Sequence, residues 1–254
     1  MSAMRTDIGR VRQLNEDSAL VGERIWAVAD GMGGHAAGDV ASGLVIDALT
    51  EVDRHPVLRT PDLLAGIRRA NEQIRDHGRR HAQARGLGTT VAGLALVDVG
   101  GADHWAVFNV GDSRVYRAEG SCFARATIDH SETEELVLEG VITAAEARTH
   151  RSRNIITRSL GMPGNLEVDI WVLPRTPEER FLICSDGLPG ELDDAEIAEV
   201  FGLHPAPGPA AEALVQASLA RGGRDNVTVI VVNVEGSVDE EPDPGANPRA
   251  RGVS

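Results

Sequence analysis

The sequence predicts an α+β fold built on antiparallel β-sheets, and three observations lead to that prediction. Apolar runs of strand length follow one another across short, glycine-containing connections. These connections are too short for the crossovers that parallel strands require. Segments with helical periodicity are grouped between groups of strands, so the chain does not alternate as repeated βαβ units would. No internal repeat or linker precedes residue 235, and we therefore expect one domain over residues 1–234.

Eight segments have the composition of β-strands. The first two flank Gly22-Glu23, which is the spacing of a hairpin. Three more follow Gly86 in quick succession, and their short turns indicate antiparallel neighbours. The predicted strands are 18–21, 25–29, 91–99, 105–110, 114–117, 166–173, 180–184 and 226–234.

Helical periodicity accounts for most of the remaining chain up to residue 234. Apolar residues recur on one helical face from Gly38 onward, and proline stands in the first turn of a second helix at Thr60-Pro61. The capping-box pattern Ser/Thr-x-x-Glu occurs twice between residues 131 and 150, which indicates two short helices there. The predicted helices begin at Gly38, Thr60, Ser131 and Thr143, and two more span 193–201 and 209–220.

The bulk composition restricts the partners and the compartment. A formal net charge of -14 argues against nucleic acid or an anionic membrane as the main partner. Cys122 and Cys184 stand in no metal-binding spacing, which favours a reducing cytoplasm, and the N-terminal residues lack the apolar core of a secretory signal. Acidic residues, proline and glycine dominate 235–254, so this tail is expected to be disordered.

Four aspartates stand where apolar runs begin or end. Asp30 and Asp186 follow such runs, Asp225 precedes one, and Asp112 lies in a turn between two strands. A carboxylate is expensive to bury without a partner, and hard divalent cations prefer oxygen ligands. The pattern therefore indicates a metal site at the edge of the core.

Each of these motifs also has an ordinary interpretation when it is taken alone. Gly111-Asp112 is typical of a hairpin turn, and the glycines after Asp30 are typical of a strand-to-helix turn. Arg12 near Asn15-Glu16-Asp17 could form a surface ion pair. Their occurrence together, in this order, is far more specific than any one of them.

Taken together, the motifs resemble the metal-dependent serine/threonine protein phosphatases of type 2C in their bacterial form. The matching motifs are Asp30-Gly-Met-Gly-Gly-His35, Val110-Gly-Asp-Ser-Arg114, Cys184-Ser-Asp-Gly187 and Arg224-Asp-Asn-Val-Thr228, within a resemblance that covers residues 7–234. It implies a four-layer α-β-β-α sandwich, two central antiparallel β-sheets flanked by helices. It also implies two or three Mn²⁺ or Mg²⁺ ions and a metal-activated water that attacks phosphoserine or phosphothreonine.

The resemblance assigns a role to each candidate residue. Asp30 would bridge two ions. The Gly31 carbonyl would bind one of these ions, and Asp186 with Asp225 would complete the ligands of the other ion. Asp17 would act mainly through metal-bound water, Asp112 with Asp186 would hold a third ion, and Arg12 would hold the substrate phosphate. His35 is the nearest candidate proton donor, although Met32 stands where eukaryotic relatives carry histidine. Residues 131–152 match the flap beside the active site.

The expected partners are phosphorylated proteins, including a serine/threonine kinase or its targets, and the expected state is a free, monomeric cytoplasmic enzyme. A binding module that has lost turnover is an alternative, but the expected carboxylates and Arg12 are all present. Hydrolysis of small phosphoesters is a second alternative. A thiol-based phosphatase is excluded because the chain has no Cys-x5-Arg loop.

Two features depart from the common family pattern. Pro189-Gly190-Glu191 follows the Asp186 motif where relatives often have a polar stretch that leads into a helix. Arg224 stands where many bacterial members have proline. Both lie beside the expected metal centre, so we expect them to affect access to it.

Overall fold

The structure is a computed structural model that describes residues 1–33 and 37–234. Its strands are β1 (Ser2–Asp7), β2 (Asp17–Val21), β3 (Ile25–Met32), β4 (Gly88–Thr89), β5 (Val91–Val99), β6 (Ala102–Val110), β7 (Arg114–Glu119), β8 (Cys122–Arg125), β9 (Asp169–Pro174), β10 (Arg180–Cys184) and β11 (Val227–Asn233). Its helices are α1 (Gly38–Asp53), α2 (Thr60–Arg80), α3 (Glu132–Leu138), α4 (Ala144–Ala147), α5 (Asp194–Leu203) and α6 (Pro207–Arg221), with a 3-10 turn at Ala82–Ala84.

The strands form two sheets, and every pairing between neighbouring strands is antiparallel. The first sheet has the order β1-β11-β10-β7-β8. The second has the order β2-β3-β5-β6-β9, and β4 pairs with β3. The predicted α+β class with antiparallel sheets is therefore confirmed.

Three apolar cores stack between four layers. One core joins α1 and α2 to the second sheet, another joins α5 and α6 to the first sheet, and the third lies between the two sheets. Side chains such as Ile67 and Val45 fill the first core, and Leu214 and Phe201 fill the second. This is the α-β-β-α sandwich that the resemblance implied.

Strand alternation decides which side chains reach the end of the core between the sheets. Because successive side chains of a strand point to opposite faces, Val28 of β3 and Ile230 of β11 enter the core between the sheets, while their neighbours face the helices. Asp30 is two residues after Val28, and Thr228 is two residues before Ile230, so both side chains lie on the same faces of their strands as these core residues. The polar ends of these strands therefore meet at one end of that core.

The structure corrects the element boundaries in a few places. β9 begins at Asp169 rather than at residue 166. Ser131 caps α3 by accepting a hydrogen bond from the Glu134 amide, but the reciprocal bond is absent because the Glu134 carboxylate pairs with Arg125. The capping box at Thr143 is present as predicted.

Three strands were missed by the sequence analysis. β1, β4 and β8 are short or lack apolar alternation. Each becomes a strand through its backbone hydrogen bonds to a longer neighbouring strand. The predicted disorder of 235–254 concerns residues outside the described part of the chain. Within the described part, no helix has both the length and the apolar character needed to cross a bilayer.

Candidate active site

Asp17 and Asp30 face each other across the two strands that open the second sheet. The register of β2 and β3 pairs them directly. The Asp17 carboxylate then crosses to the other sheet, where its Oδ2 accepts hydrogen bonds of 2.7 Å from Ser185 Oγ and from Thr228 Oγ1. Asp17 is thus the side chain that ties the polar ends of both sheets together.

A relay of hydroxyl groups orients the two donors of Asp17. Since the single proton of Thr228 Oγ1 goes to Asp17, the 2.8 Å contact with Thr6 Oγ1 must be donated by Thr6. Thr6 in turn accepts from Asn15 Nδ2 at 2.8 Å, and Ser185 Oγ accepts from the Thr228 amide at 2.9 Å. The contact of Ser185 and Thr228 with Asp17 was not predicted from the sequence.

The main chain around Asp30 is held by two threonines, Thr89 and Thr90. The Asp30 carbonyl accepts from Thr89 Oγ1 and from the Thr90 amide, and the Asp30 amide donates to Thr90 Oγ1. Gly31 has to be glycine, because a Cβ there would lie 2.1 Å from the Gly38 carbonyl oxygen. This crowding fixes the main chain of the Asp30-Gly31 pair.

Asp186 and Asp225 approach Asp30 from the first sheet. Asp186 follows β10 and Asp225 precedes β11, so two adjacent strands bring them to the same edge. Asp186 and Asp30 lie close enough for each carboxyl group to shift the pKa of the other. Gly187 keeps the two loops in contact, since a Cβ there would lie 1.9 Å from the Asn226 carbonyl oxygen.

Arg12 lies beside this cluster on the loop between β1 and β2. Its Nη2 donates to Asp225 Oδ2 at 2.6 Å, and the pKa of Arg12 is raised first by that hydrogen bond. The charges of Asp225, Asp186 and Asp30 raise it further, so the guanidinium is close to all three carboxylates. About half of the Arg12 side chain is exposed, which leaves it accessible from the solvent.

Asn226 holds the loop that carries Arg12, and the sequence analysis gave it no role. Its buried side chain accepts from the Glu16 amide and donates to the carbonyls of Ile8 and Leu14, each at 2.9 Å. Its Oδ1 and both N–H groups of its Nδ2 thus bind main-chain groups within residues 8–16. The residue next to Asp225 therefore also positions Arg12.

The carboxylates perturb one another strongly. Burial raises the pKa of Asp186 to about 6, with the charge of Asp225 as the next contribution, and burial raises the pKa of Asp17 to about 7 against its two hydroxyl donors. For Asp30 and Asp112, burial again acts first and neighbouring carboxylates add to it, so both pKa values lie well above that of an ordinary aspartate. Such a cluster retains protons or attracts cations.

The donor set fits hard divalent cations. All the side-chain atoms that could bind a metal here are carboxylate oxygens, which hard cations prefer. Two of these oxygens, Asp17 Oδ1 and Asp112 Oδ1, are buried without a hydrogen-bond partner. Over residues 1–33 and 37–234, no three His, Cys, Asp or Glu side chains converge on one point as a closed ligand set. Part of the coordination would therefore come from main-chain carbonyls and water, which Mg²⁺ in particular usually retains.

A cavity of about 430 Å³ opens beside the cluster, between Asp112 and Asp186 on one side and residues 131–154 on the other. We call residues 131–152 the flap. Side chains of the flap contact the rest of the domain: Glu134 pairs with Arg125, and Arg148 Nη1 donates to the carbonyls of Pro189 and Leu192. The flap therefore forms a wall of the entrance to the carboxylate cluster.

Two histidines near the site motifs bear on the question of proton transfer, His35 and His130. His35 lies outside the described residues. His130 is buried; its Nδ1 accepts from the Gly111 amide at 3.0 Å, and its Nε2 lies 3.2 Å from Asp169 Oδ2. Burial lowers the pKa of His130. With both ring nitrogens engaged, His130 supports the turn that carries Asp112.

Comparison with known proteins gives one consistent result. The sequence profile of the protein phosphatase 2C family matches residues 10–220. A serine/threonine phosphatase of Listeria innocua is 34% identical over 239 residues, which cover 90% of this chain and 93% of that protein.

Solved structures agree with this match. The crystal structure of the serine/threonine phosphatase PstP/Ppp of Mycobacterium tuberculosis superposes with a TM-score of 0.87 at 36% identity, covering 93% of this chain and 99% of that one. A structure of the PstP catalytic domain in complex with two manganese ions gives a TM-score of 0.84 at 34% identity, covering 93% and 98%. The chain belongs to the protein phosphatase 2C family, and the resemblance inferred from its motifs is confirmed.

Proposed function

We propose that this enzyme hydrolyses phosphoserine and phosphothreonine in proteins at the carboxylate cluster between the sheet ends. The observation that carries the proposal is that Asp17, Asp186 and Asp225 lie near enough to Asp30 to raise its pKa, with the cation Arg12 beside them at a partly open site. The family match and the phosphatase names of the relatives support it.

The cluster would hold two or three Mn²⁺ or Mg²⁺ ions. Asp30 would help to hold two of them, the Gly31 carbonyl would be a ligand of one, and Asp186 with Asp225 would hold the other. Asp17 would contribute through water, and Asp112 with Asp186 would hold a third ion. When bound, such ions neutralise phosphoryl charge and lower the pKa of water, which supplies the nucleophile. The structure of the PstP catalytic domain in complex with two manganese ions supports a centre with two metal ions.

Arg12 would bind the phosphoryl oxygens of the substrate. One of its five N–H donors is committed to Asp225, and the planar guanidinium can direct others at a phosphate. Asp225 orients Arg12, and Asn226 holds its loop, so the group is placed before substrate arrives. His35 stays the candidate donor of a proton to the leaving hydroxyl.

The catalytic proposal is tested by turnover. Purified protein should hydrolyse para-nitrophenyl phosphate and a phosphothreonine peptide with Mn²⁺, and it should lose this activity with a chelator or with Asp186→Asn. Asp103→Asn is the matched control, because Asp103 lies at the opposite end of β6 from Asp112 and forms an exposed pair with Arg175. Asp103→Asn should keep the activity of the wild type.

The remaining outcomes separate the alternatives. No turnover with any divalent metal would favour the binding module without catalysis. Activity that survives the chelator would refute the metal assignment. Turnover of para-nitrophenyl phosphate without turnover of the peptide would favour a hydrolase of small phosphoesters.

The setting of the enzyme is also part of the proposal. We place the catalytic domain at residues 1–234, with phosphorylated proteins as substrates, a serine/threonine kinase or its targets among them. Both cysteines, Cys122 and Cys184, are free thiols, which supports a cytoplasmic location. We expect a monomer, and sedimentation of the full chain would test that.

A further inference from the structure

The two departures from the family pattern, Glu191 and Arg224, contact each other. The Glu191 side chain is only 4% exposed, although it carries a charge. Its Oε1 accepts from the Arg224 amide and from Arg224 Nε, both at 2.9 Å, and its Oε2 accepts from Arg224 Nη2 at 2.8 Å. One carboxylate thus binds both the main chain and the side chain of a residue 33 positions away.

This contact joins the loops that carry two of the proposed metal ligands. Glu191 closes the turn that begins at Asp186, where the Gly190 amide donates to the Asp186 carbonyl at 2.7 Å. Arg224 immediately precedes Asp225, the partner of Arg12. The distance between the two aspartates therefore depends in part on Glu191.

The local chain is shaped around the Glu191 carboxylate. Gly222 has a φ of 154°, and a Cβ there would lie 3.1 Å from Glu191 Oε2. The proline that many bacterial members have at position 224 has no N–H, so it could not donate the main-chain hydrogen bond that Arg224 gives to Glu191. The buried Glu191 carboxylate therefore depends on Arg224 for its charge partner and for its hydrogen bonds.

We propose that Glu191 is a positioning residue that holds the Asp225 loop against the Asp186 loop through the Arg224 main chain. The proposal rests on the assignment of Asp186 and Asp225 as metal ligands. Glu191 lies behind them and acts by fixing their main chains, and its bonds to the Arg224 side chain add to that hold. Loss of Glu191 should therefore loosen the metal site without changing its ligands.

Titration calorimetry of the full, metal-stripped chain with Mn²⁺ measures the effect. Glu191→Ala should weaken Mn²⁺ binding about tenfold, the lower end of what the loss of an outer-shell support causes. Glu191→Gln removes the same charge but keeps an oxygen for the Arg224 amide, so it should retain most of the affinity. Arg224→Ala keeps that amide bond and should fall between the wild type and Glu191→Ala.

The control is Glu212→Ala, which breaks an exposed 2.8 Å pair with Arg5 between β1 and α6. It should leave Mn²⁺ affinity unchanged. Equal losses in Glu191→Ala and Glu191→Gln would show that charge alone matters and would overturn the proposal, as would wild-type affinity in Glu191→Ala.

Two further results are decisive in other ways. If Glu191→Ala does not fold, Glu191→Gln and Arg224→Ala distinguish positioning from an effect of charge. Tighter Mn²⁺ binding by Arg224→Ala would indicate that the arginine charge repels the metal, and it would refute the positioning role. If the wild-type chain itself does not bind Mn²⁺, the metal assignment fails first, and Glu191 has no ligands to position.

Discussion

Replacing Asn226 by alanine tests how the loop that carries Arg12 is held. The substitution removes three hydrogen bonds of 2.9 Å and leaves the Glu16 amide and the carbonyls of Ile8 and Leu14 without partners. A neutral hydrogen bond contributes about 1 kcal/mol net, and buried groups left unpaired cost more, so we expect a loss of about 3 kcal/mol in the free energy of unfolding.

The same substitution should change catalysis in a particular way. Freed from Asn226, residues 8–16 should sample positions in which Arg12 no longer faces the carboxylate cluster. The KM for a phosphothreonine peptide should therefore rise more than kcat falls. Urea unfolding in the presence of a chelator measures the first effect, and steady-state kinetics with Mn²⁺ measures the second.

Two matched variants make the test sharp. Asn226→Asp keeps the shape but turns an acceptor toward two carbonyls, so it should be at least as destabilising as alanine. Asn233→Ala removes an amide at the other end of β11, where the side chain bonds to Pro205 and Arg180, and it should leave KM unchanged. An Asn226→Asp variant as stable as the wild type would refute the reasoning.

Three other predictions concern charges around the site. Arg12→Ala should raise KM at least about tenfold, the loss expected for a charge-assisted contact, with little effect from Arg10→Ala on the same loop; an unchanged KM would contradict the phosphate role. Without metal, Asp186→Asn should stabilise the chain at pH 8 by about 3 kcal/mol, because the folded pKa of about 6 exceeds the ordinary 3.8 and stability is lost as pH rises from about 4 to about 7. Urea unfolding with chelator should show a smaller gain at pH 5, and an equal gain would argue against this pKa. Arg148→Ala should speed hydrogen exchange over 139–150, and exposed Arg151→Ala should not; equal rates in both variants would show that Arg148 does not hold the flap.

The sequence predicted the central strands and the longer helices because their apolar periodicity is local and strong. β11 is an unbroken apolar run, and α2 carries its apolar residues on one face beneath a charged one. β1 shows the limit of that signal. Ser2–Asp7 has no apolar alternation, and it becomes a strand through pairing with β11 and packing under α6.

The candidate site divides in the same way. The aspartates could be singled out because carboxylates beside apolar runs are conspicuous in sequence. Ser185, Thr228 and Asn226 could not, because hydroxyl and amide residues are common at strand ends and only their partners show their role. Strand alternation was an available signal for Thr228, but it does not tell which face meets the second sheet.

The sequence by itself determined the class of fold and the family, and it singled out the acidic residues proposed as metal ligands, since these follow from periodicity and from motifs of a few neighbouring residues. Tertiary structure alone decided how residues far apart combine: Asp17 with Ser185 and Thr228, Arg12 with Asp225, and Glu191 with Arg224. The physical reason is that hydrogen bonds and ion pairs depend on distances of a few ångströms. Only the stacking of two sheets brings those groups that close.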